Sequence, residues 1–154
     1  MKVKEIMSTG VITIGPEDSF IDAAKLISAN RISGLPVVNQ NNECIGIVSE
    51  KDLLKTLFPT YGELFDVDSD TPLYEFDLEN LEHKSVEVGK IKIKDIMETE
   101  LIFAQPDLPI LEAASMMVLY RIRRLPVTEN KKLVGVVSQG DVFRAILNKH
   151  LKLV

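Results

Sequence analysis

Two short stretches, GIVSEKD from Gly46 and GVVSQGD from Gly135, carry the side chains of this chain best placed for chemistry. In each, a serine (Ser49, Ser138) stands three residues before an aspartate (Asp52, Asp141), where a β-rich run gives way to a helical pattern. Ser-x-x-Asp is close to a capping box, in which the hydroxyl accepts from an early backbone N–H; such a cap contributes about 1 kcal/mol. The same geometry can hold a ligand. A helix start offers free N–H donors and partial positive charge to a phosphate or a ribose oxygen. A carboxylate one turn in can accept from both hydroxyls of a ribose, as in dinucleotide-binding folds. Capping alone explains both pairs; the ligand reading also needs the side chains aimed into a cleft.

A second repeated stretch, RISGLPVV from Arg31 and RIRRLPVT from Arg121, marks a helix end, a Leu-Pro crossing and a new strand. Leu35 and Leu125 could line an apolar slot for a flat base. Arg123 and Arg124 are cations where the first copy has Ser33 and Gly34. Solvation explains exposed arginines, yet an Arg beside a helix start is also well placed for phosphate. Arg31 and Arg121 are expected on the last helical turn, where cations favour the carboxyl end.

Catalytic chemistry has little to stand on. The two histidines, His83 and His150, lie apart, and the chain has no Cys/His metal cluster, phosphate-binding P-loop or recognisable nucleophile. Asp66-x-Asp68-x-Asp70 fails as a calcium loop, with Thr71 where Gly is needed and Asp77 where Glu is needed. No enzyme and no bound metal are expected.

These residues sit in a tandem repeat. A shift of 90 residues lays VKEIMSTGVITIGPEDSFIDAAKLI over IKDIMETELIFAQPDLPILEAASMM, and NRISGLPVV over YRIRRLPVT. ECIGIVSEKDLLKTLF then matches KLVGVVSQGDVFRAIL after the second copy drops one residue. Each copy reads β-α-β-β-α: an extended segment (Val11–Ile14; Leu101–Ala104) stopped by Pro16 or Pro106, a helix, a hairpin and a last helix. The predicted fold is α+β, two such repeats packed sheet to sheet about a pseudo-twofold axis with a cleft on each side, because one copy alone leaves an apolar sheet face bare. The expected organisation is a first repeat at 1–58, an acidic insert at 59–90 and a second repeat at 91–154. The pseudo-symmetry puts Asp52 and Asp141 in separate clefts.

At 154 residues, 45% apolar and 27% charged, the composition is that of an ordinary soluble domain. No apolar run approaches the roughly 18 residues that cross a bilayer, and MKVKEIM is no signal peptide, so a cytoplasmic protein is expected. Cys44, the single cysteine, reads as a packed strand thiol. Between Pro59 and Glu82 stand eight of the 23 acids and no Lys or Arg, which leaves 18 basic against 15 acidic residues elsewhere. That balance admits a small anion and speaks against a nucleic-acid partner. The hydrophobic residues of the insert predict partial helix docked on the body or on a second subunit.

The tandem of IM-x(n)-P, R-I-x-x-L-P-V and G-h-h-S-x-x-D closely resembles the CBS domain, named for cystathionine β-synthase, two of which form the paired Bateman module. The resemblance spans roughly residues 2–58 and 91–148. It implies a free-standing regulatory module with no obligatory cofactor that binds AMP, ADP, ATP or S-adenosylmethionine in clefts between the repeats. It also implies a homodimer and an enzyme or transporter as the regulated partner. Carried over by position, Asp52 and Asp141 hold ribose, Ser49 and Ser138 meet ribose or phosphate, and Ile47 and Val136 flank the base. Thr13–Ile14 and Phe103–Ala104 meet the base through backbone groups. The crossings contribute Ser33, Leu35 and Pro36 in one copy, and Arg123, Arg124, Leu125 and Pro126 in the other. Arg123, Arg124 and Lys51 reach phosphate; Gly140 stands opposite Lys51, so unequal clefts are expected. An alternative is an interaction module with empty clefts that uses the acidic insert as its contact surface.

Overall fold

A computed structural model describes residues 1–57 and 86–151. Most of the acidic insert, with Asp66-x-Asp68-x-Asp70 and the helix expected there, lies outside the described residues. Helix α1 (Phe20–Asn30) opens on a capping box: Ser19 Oγ accepts from the Asp22 N–H at 3.2 Å, and the Asp22 carboxylate accepts from the Ser19 N–H at 2.9 Å. Phe20, Ala23 and Ile27 share its buried face. The helix ends at Arg31, whose φ of 51° is left-handed, and the Ile32 N–H then reaches back to the Ile27 carbonyl at 3.2 Å. Arg121, with φ of 55°, does the same in the second copy. Both arginines therefore lie just past the helix end rather than on its last turn, because the chain reverses there without a glycine.

The remaining elements are β1 (Gly34–Val38), β2 (Cys44–Ser49) and α2 (Glu50–Leu57), then α3 (Ile110–Leu119), β3 (Arg124–Glu129), β4 (Lys132–Ser138) and α4 (Gln139–Ile146). Cys44 is buried in β2. The fold is α+β, with two hairpins, β1–β2 and β3–β4, as separate small sheets.

The extended segments predicted before α1 and α3 shrink to one residue each. Ile14 bridges Val37 and Ala104 bridges Val127, both in parallel. The Ala104 N–H donates to the Pro126 carbonyl at 2.9 Å, and the Thr128 N–H donates to the Ala104 carbonyl at 3.0 Å. Lengthening that ladder toward Ile102 would require an N–H on Pro126; lengthening it the other way would require one on Pro106. Neither proline has one. Pro36 and Pro16 bracket Ile14 in the same way.

The dropped residue falls in the second hairpin turn. Asn130 and Lys131 both take positive φ (50° and 68°), giving a two-residue turn between the paired Glu129 and Lys132. The first hairpin needs one residue more: Asn39 Oδ1 accepts from the N–H groups of Asn41 and Glu43, and Asn42 takes φ of 61°.

The chain forms two compact units, and they cut across the sequence repeats. One comprises Met1–Thr13, Val38–Ile45 and Glu100–Val154; the other comprises Ile14–Val37 and Gly46–Thr99. Each unit therefore joins the helices of one copy to the leading segment of the other. In the first unit Val3 is wholly buried in a core with Ala104, Ala113, Met117, Leu125, Val127 and Val137. Its N–H donates to the Leu108 carbonyl at 2.8 Å, and Ser8 exchanges two backbone hydrogen bonds with Val136. The second unit repeats the scheme: Ile93 is wholly buried, its N–H donates to Asp18, and Glu98 exchanges two bonds with Ile47.

The repeated glycine of GIVSEKD and GVVSQGD belongs to this arrangement. A Cβ on Gly135 would stand 2.7 Å from Met7 Sδ and 2.9 Å from the Ser8 carbonyl oxygen. One on Gly46 would stand 2.9 Å from Met97 Cγ and closer still to its sulfur. Gly135→Ala is therefore expected to cost about 1–3 kcal/mol in urea unfolding, as overpacking does. Combined with Met7→Ala it should cost less than the sum of the two single changes.

An exposed charge clamp closes each leading segment. Lys2 and Lys4 pair with Asp107 at 3.0 and 2.7 Å, while Lys94 (2.7 Å) and Lys92 pair with Glu17. Hydrogen bonds from Lys92 and then Lys94 hold the Glu17 carboxyl at about 2, against an ordinary 4.5, and Lys4 and Lys2 lower Asp107. A depressed carboxyl stabilises the fold above its unfolded pKa, and that contribution is lost as pH falls through the folded one. The stability difference between wild type and Glu17→Gln should accordingly be present at pH 5 and vanish on titration toward pH 2.

Candidate functional site

In each unit the two repeated stretches meet. The strand β2 runs into α2 at Ser49, and the N–H of Glu50, the first helical residue, donates to the Ser33 carbonyl at 3.0 Å. In the other unit the Gln139 N–H donates to the Arg123 carbonyl at 3.0 Å, and Gln139 Nε2 donates to the Ile122 carbonyl at 3.1 Å. The Leu-Pro crossing is thus tied to the helix start, which accounts for both motifs recurring together.

Both capping boxes form. Ser138 Oγ accepts from the Asp141 N–H at 3.2 Å, while Asp141 Oδ2 accepts from the Ser138 N–H at 2.8 Å and the Ser138 hydroxyl at 2.6 Å. Ser49 and Asp52 repeat this at 3.4, 2.8 and 2.6 Å. The cap and the crossing carbonyl together engage two of the first three N–H donors of each helix, so little remains there for an anion. The cap also uses only one oxygen of each aspartate. Among the described residues Asp52 Oδ1 carries no hydrogen bond, whereas Asp141 Oδ1 accepts from Arg144 Nη2 at 2.5 Å. One carboxylate oxygen has lone pairs enough to accept from two hydroxyls. Capping and ribose binding are thereby compatible on the same residue.

The other candidate residues divide between the units. Ile14, Ser33, Leu35, Pro36, Ile47, Ser49, Lys51 and Asp52 fall in one; Thr13, Phe103, Ala104, Arg123, Arg124, Leu125, Pro126, Val136, Ser138 and Asp141 fall in the other. Leu35 and Leu125 are wholly buried, with Pro36, Pro126, Ile14 and Ala104 also buried, so these residues back the crossings instead of lining open surface. Ile47 and Val136 are half-buried, their backbones occupied by Glu98 and Ser8. Lys51, Phe103, Arg123 and Arg124 are exposed. Thr13 lines a hollow of about 200 Å³ with Gly10, Val11, Asn42, Leu133 and Val134, smaller than a typical ligand pocket.

Sequence reasoning passed over Arg144. Its signal was an arginine three residues after Asp141, with a glycine at 140 leaving room above the helix start.

Paired hairpin-and-helix repeats with a Ser–Asp capping box in each define a tandem two-repeat module. The CBS domain family matches residues 3–59 and 93–148, and the chain belongs to that family. It is 33% identical over 156 residues to an uncharacterized protein of Methanocaldococcus jannaschii, covering 96% of this chain and 92% of that one. Among solved structures, CBSX2 in complex with AMP superimposes with a TM-score of 0.72 at 25% identity, covering 96% of both chains. The CBS domain pair of MJ0100, in complex with 5′-methylthioadenosine and S-adenosyl-L-methionine, gives 0.69 at 25% identity, over 97% and 98%.

Removing either cap has a stability signature of its own. Ser138→Ala and Asp141→Ala should each lower unfolding free energy by about 1 kcal/mol without ligand, and Asp141→Asn by less, because an amide oxygen still accepts from the Ser138 N–H. Urea denaturation of the three variants checks this.

Proposed function

We propose that the chain is a regulatory, non-catalytic module that binds an adenosine-containing ligand (AMP, ADP, ATP or S-adenosylmethionine) and changes conformation or partner when loaded. The observation that carries this reading is the Asp52 carboxylate: one oxygen is spent on the cap and the other is left for a ribose diol. Ser49 and Ser138, Ile47 and Val136, and the segments Thr13–Ile14 and Phe103–Ala104 complete the proposed contacts. Ser33 joins them at its crossing, with Lys51, Arg123 and Arg124 for phosphate, while the buried Leu35, Pro36, Leu125 and Pro126 back the crossings from the core. The adenosine-derived ligands of the two structural neighbours support the same class. Exposed Leu111, Val118 and Leu119 on α3 and Phe143 on α4 support a homodimer covering these helices. No described helix is long and apolar enough to cross a membrane.

Thermal unfolding with each of the four ligands tests the proposal. A ligand at 100 times its Kd is expected to add about 2.7 kcal/mol, and Asp52→Ala or Asp141→Ala should selectively remove that gain. No shift with any of the four overturns it.

A further inference from the structure

The two helix starts look unequal in sequence, with Lys51 in one and Gly140 in the other, but the structure supplies the second with a cation by another route. Arg144, one turn downstream, curls back so that its guanidinium lies over Gly140. A Cβ added at Gly140 would stand 3.3 Å from Arg144 Nη1, 3.8 Å from its Cζ and 3.6 Å from Ser138 Oγ. The same guanidinium donates to Asp141 Oδ1 at 2.5 Å, the oxygen that the cap does not use. The Asp141 side chain is 17% exposed and that of Arg144 is 65% exposed, so the arginine can swing while the aspartate stays in place. In the first copy Lys55 occupies the position of Arg144, and among the described residues Asp52 forms no ion pair.

We infer that Arg144 is a specificity-determining residue of the Asp141 half-site: it occupies the ribose-accepting oxygen when no ligand is bound, and turns to the phosphate when a nucleotide displaces it. This rests on the adenosine-ligand reading above. A ligand that takes Asp141 Oδ1 must displace the guanidinium, which lowers apparent affinity by the fraction of molecules in which that oxygen is free. A neutral nucleoside returns nothing for the lost ion pair. A phosphorylated one offers the freed guanidinium a bidentate, charge-assisted partner within reach of the same helix start. The Asp141 half-site should therefore favour AMP over adenosine more steeply than Asp141 alone would.

The experiment measures Kd for AMP and adenosine by calorimetry on the full chain carrying Asp52→Asn, which silences the other aspartate while retaining its cap. Arg144→Gln in that background should tighten adenosine about two- to fivefold, the scale of an exposed ion pair. It should weaken AMP about fivefold or more, the loss of a charge-assisted contact. Arg144→Lys should retain most of the AMP affinity. An AMP-to-adenosine ratio unchanged by Arg144→Gln overturns the inference while the adenosine reading stands. Failure of the Asp52→Asn chain to bind either compound overturns the inference, and failure of wild type to bind any of AMP, ADP, ATP and S-adenosylmethionine overturns both. Arg144 is exposed, so matching thermal midpoints will confirm that the variants are folded.

Discussion

The structure depends on a steric fit between a methionine and a glycine, made twice. Met7 lies against Gly135 and Met97 against Gly46, each where a Cβ on the glycine would force the methionine side chain to shift. Around each contact the leading segment is fastened by a wholly buried aliphatic (Val3 or Ile93), by a two-bond bridge to β4 or β2, and by an exposed lysine clamp. The burial supplies most of the energy; the clamps, being exposed, contribute little and chiefly set register. Because each leading segment completes the unit holding the other copy's helices, neither sequence repeat contains a whole unit. Each copy supplies the leading segment against which the other copy's helices pack.

This changes the meaning of the repeated motif. Its glycine serves packing, its serine serves the cap, and its aspartate caps with one oxygen while the other lies outside the cap. The cap engages one oxygen of each carboxylate, and the proposed ribose contact falls to the other. The cap also holds that carboxylate in one orientation, and a ligand gains from meeting a group already ordered. In the proposed adenosine site, the residue that caps the helix is also the one that would meet the ribose.

Much of this was legible in the sequence. The repeat, both hairpins and the Ser-x-x-Asp caps follow from periodicity and from residue types with strong local preferences. The single-residue bridges at Ile14 and Ala104 were legible in principle, since four prolines at matched positions forbid a longer ladder; hydrophobic pattern alone had suggested strands. Arg31 and Arg121 were misplaced because left-handed helix ends usually announce themselves with glycine. The exchange of leading segments had no local signature at all, being a matter of which of two similar partners a segment packs against. Burial of Leu35 and Leu125 was equally hidden, since an apolar residue at a crossing reads the same whether it faces a ligand or the core.

The two copies have kept the frame and diverged at the cations. Val3 and Ile93, Pro16 and Pro106, and both methionines and both motif glycines are held by packing, where a change is felt through a whole unit. Lys51, Arg123, Arg124 and Arg144 are exposed side chains, where a change disturbs packing least. Gly140 shows one use of such freedom: with no side chain at that position, a guanidinium four residues on fills the space. A sequence comparison of the copies counts a missing charge there, whereas the three-dimensional arrangement restores one with different geometry. Lys51 is a mobile point charge, while Arg144 is a planar fork already engaged with the aspartate beside it. The difference between the two helix starts therefore lies in how each cation is held when no ligand is present.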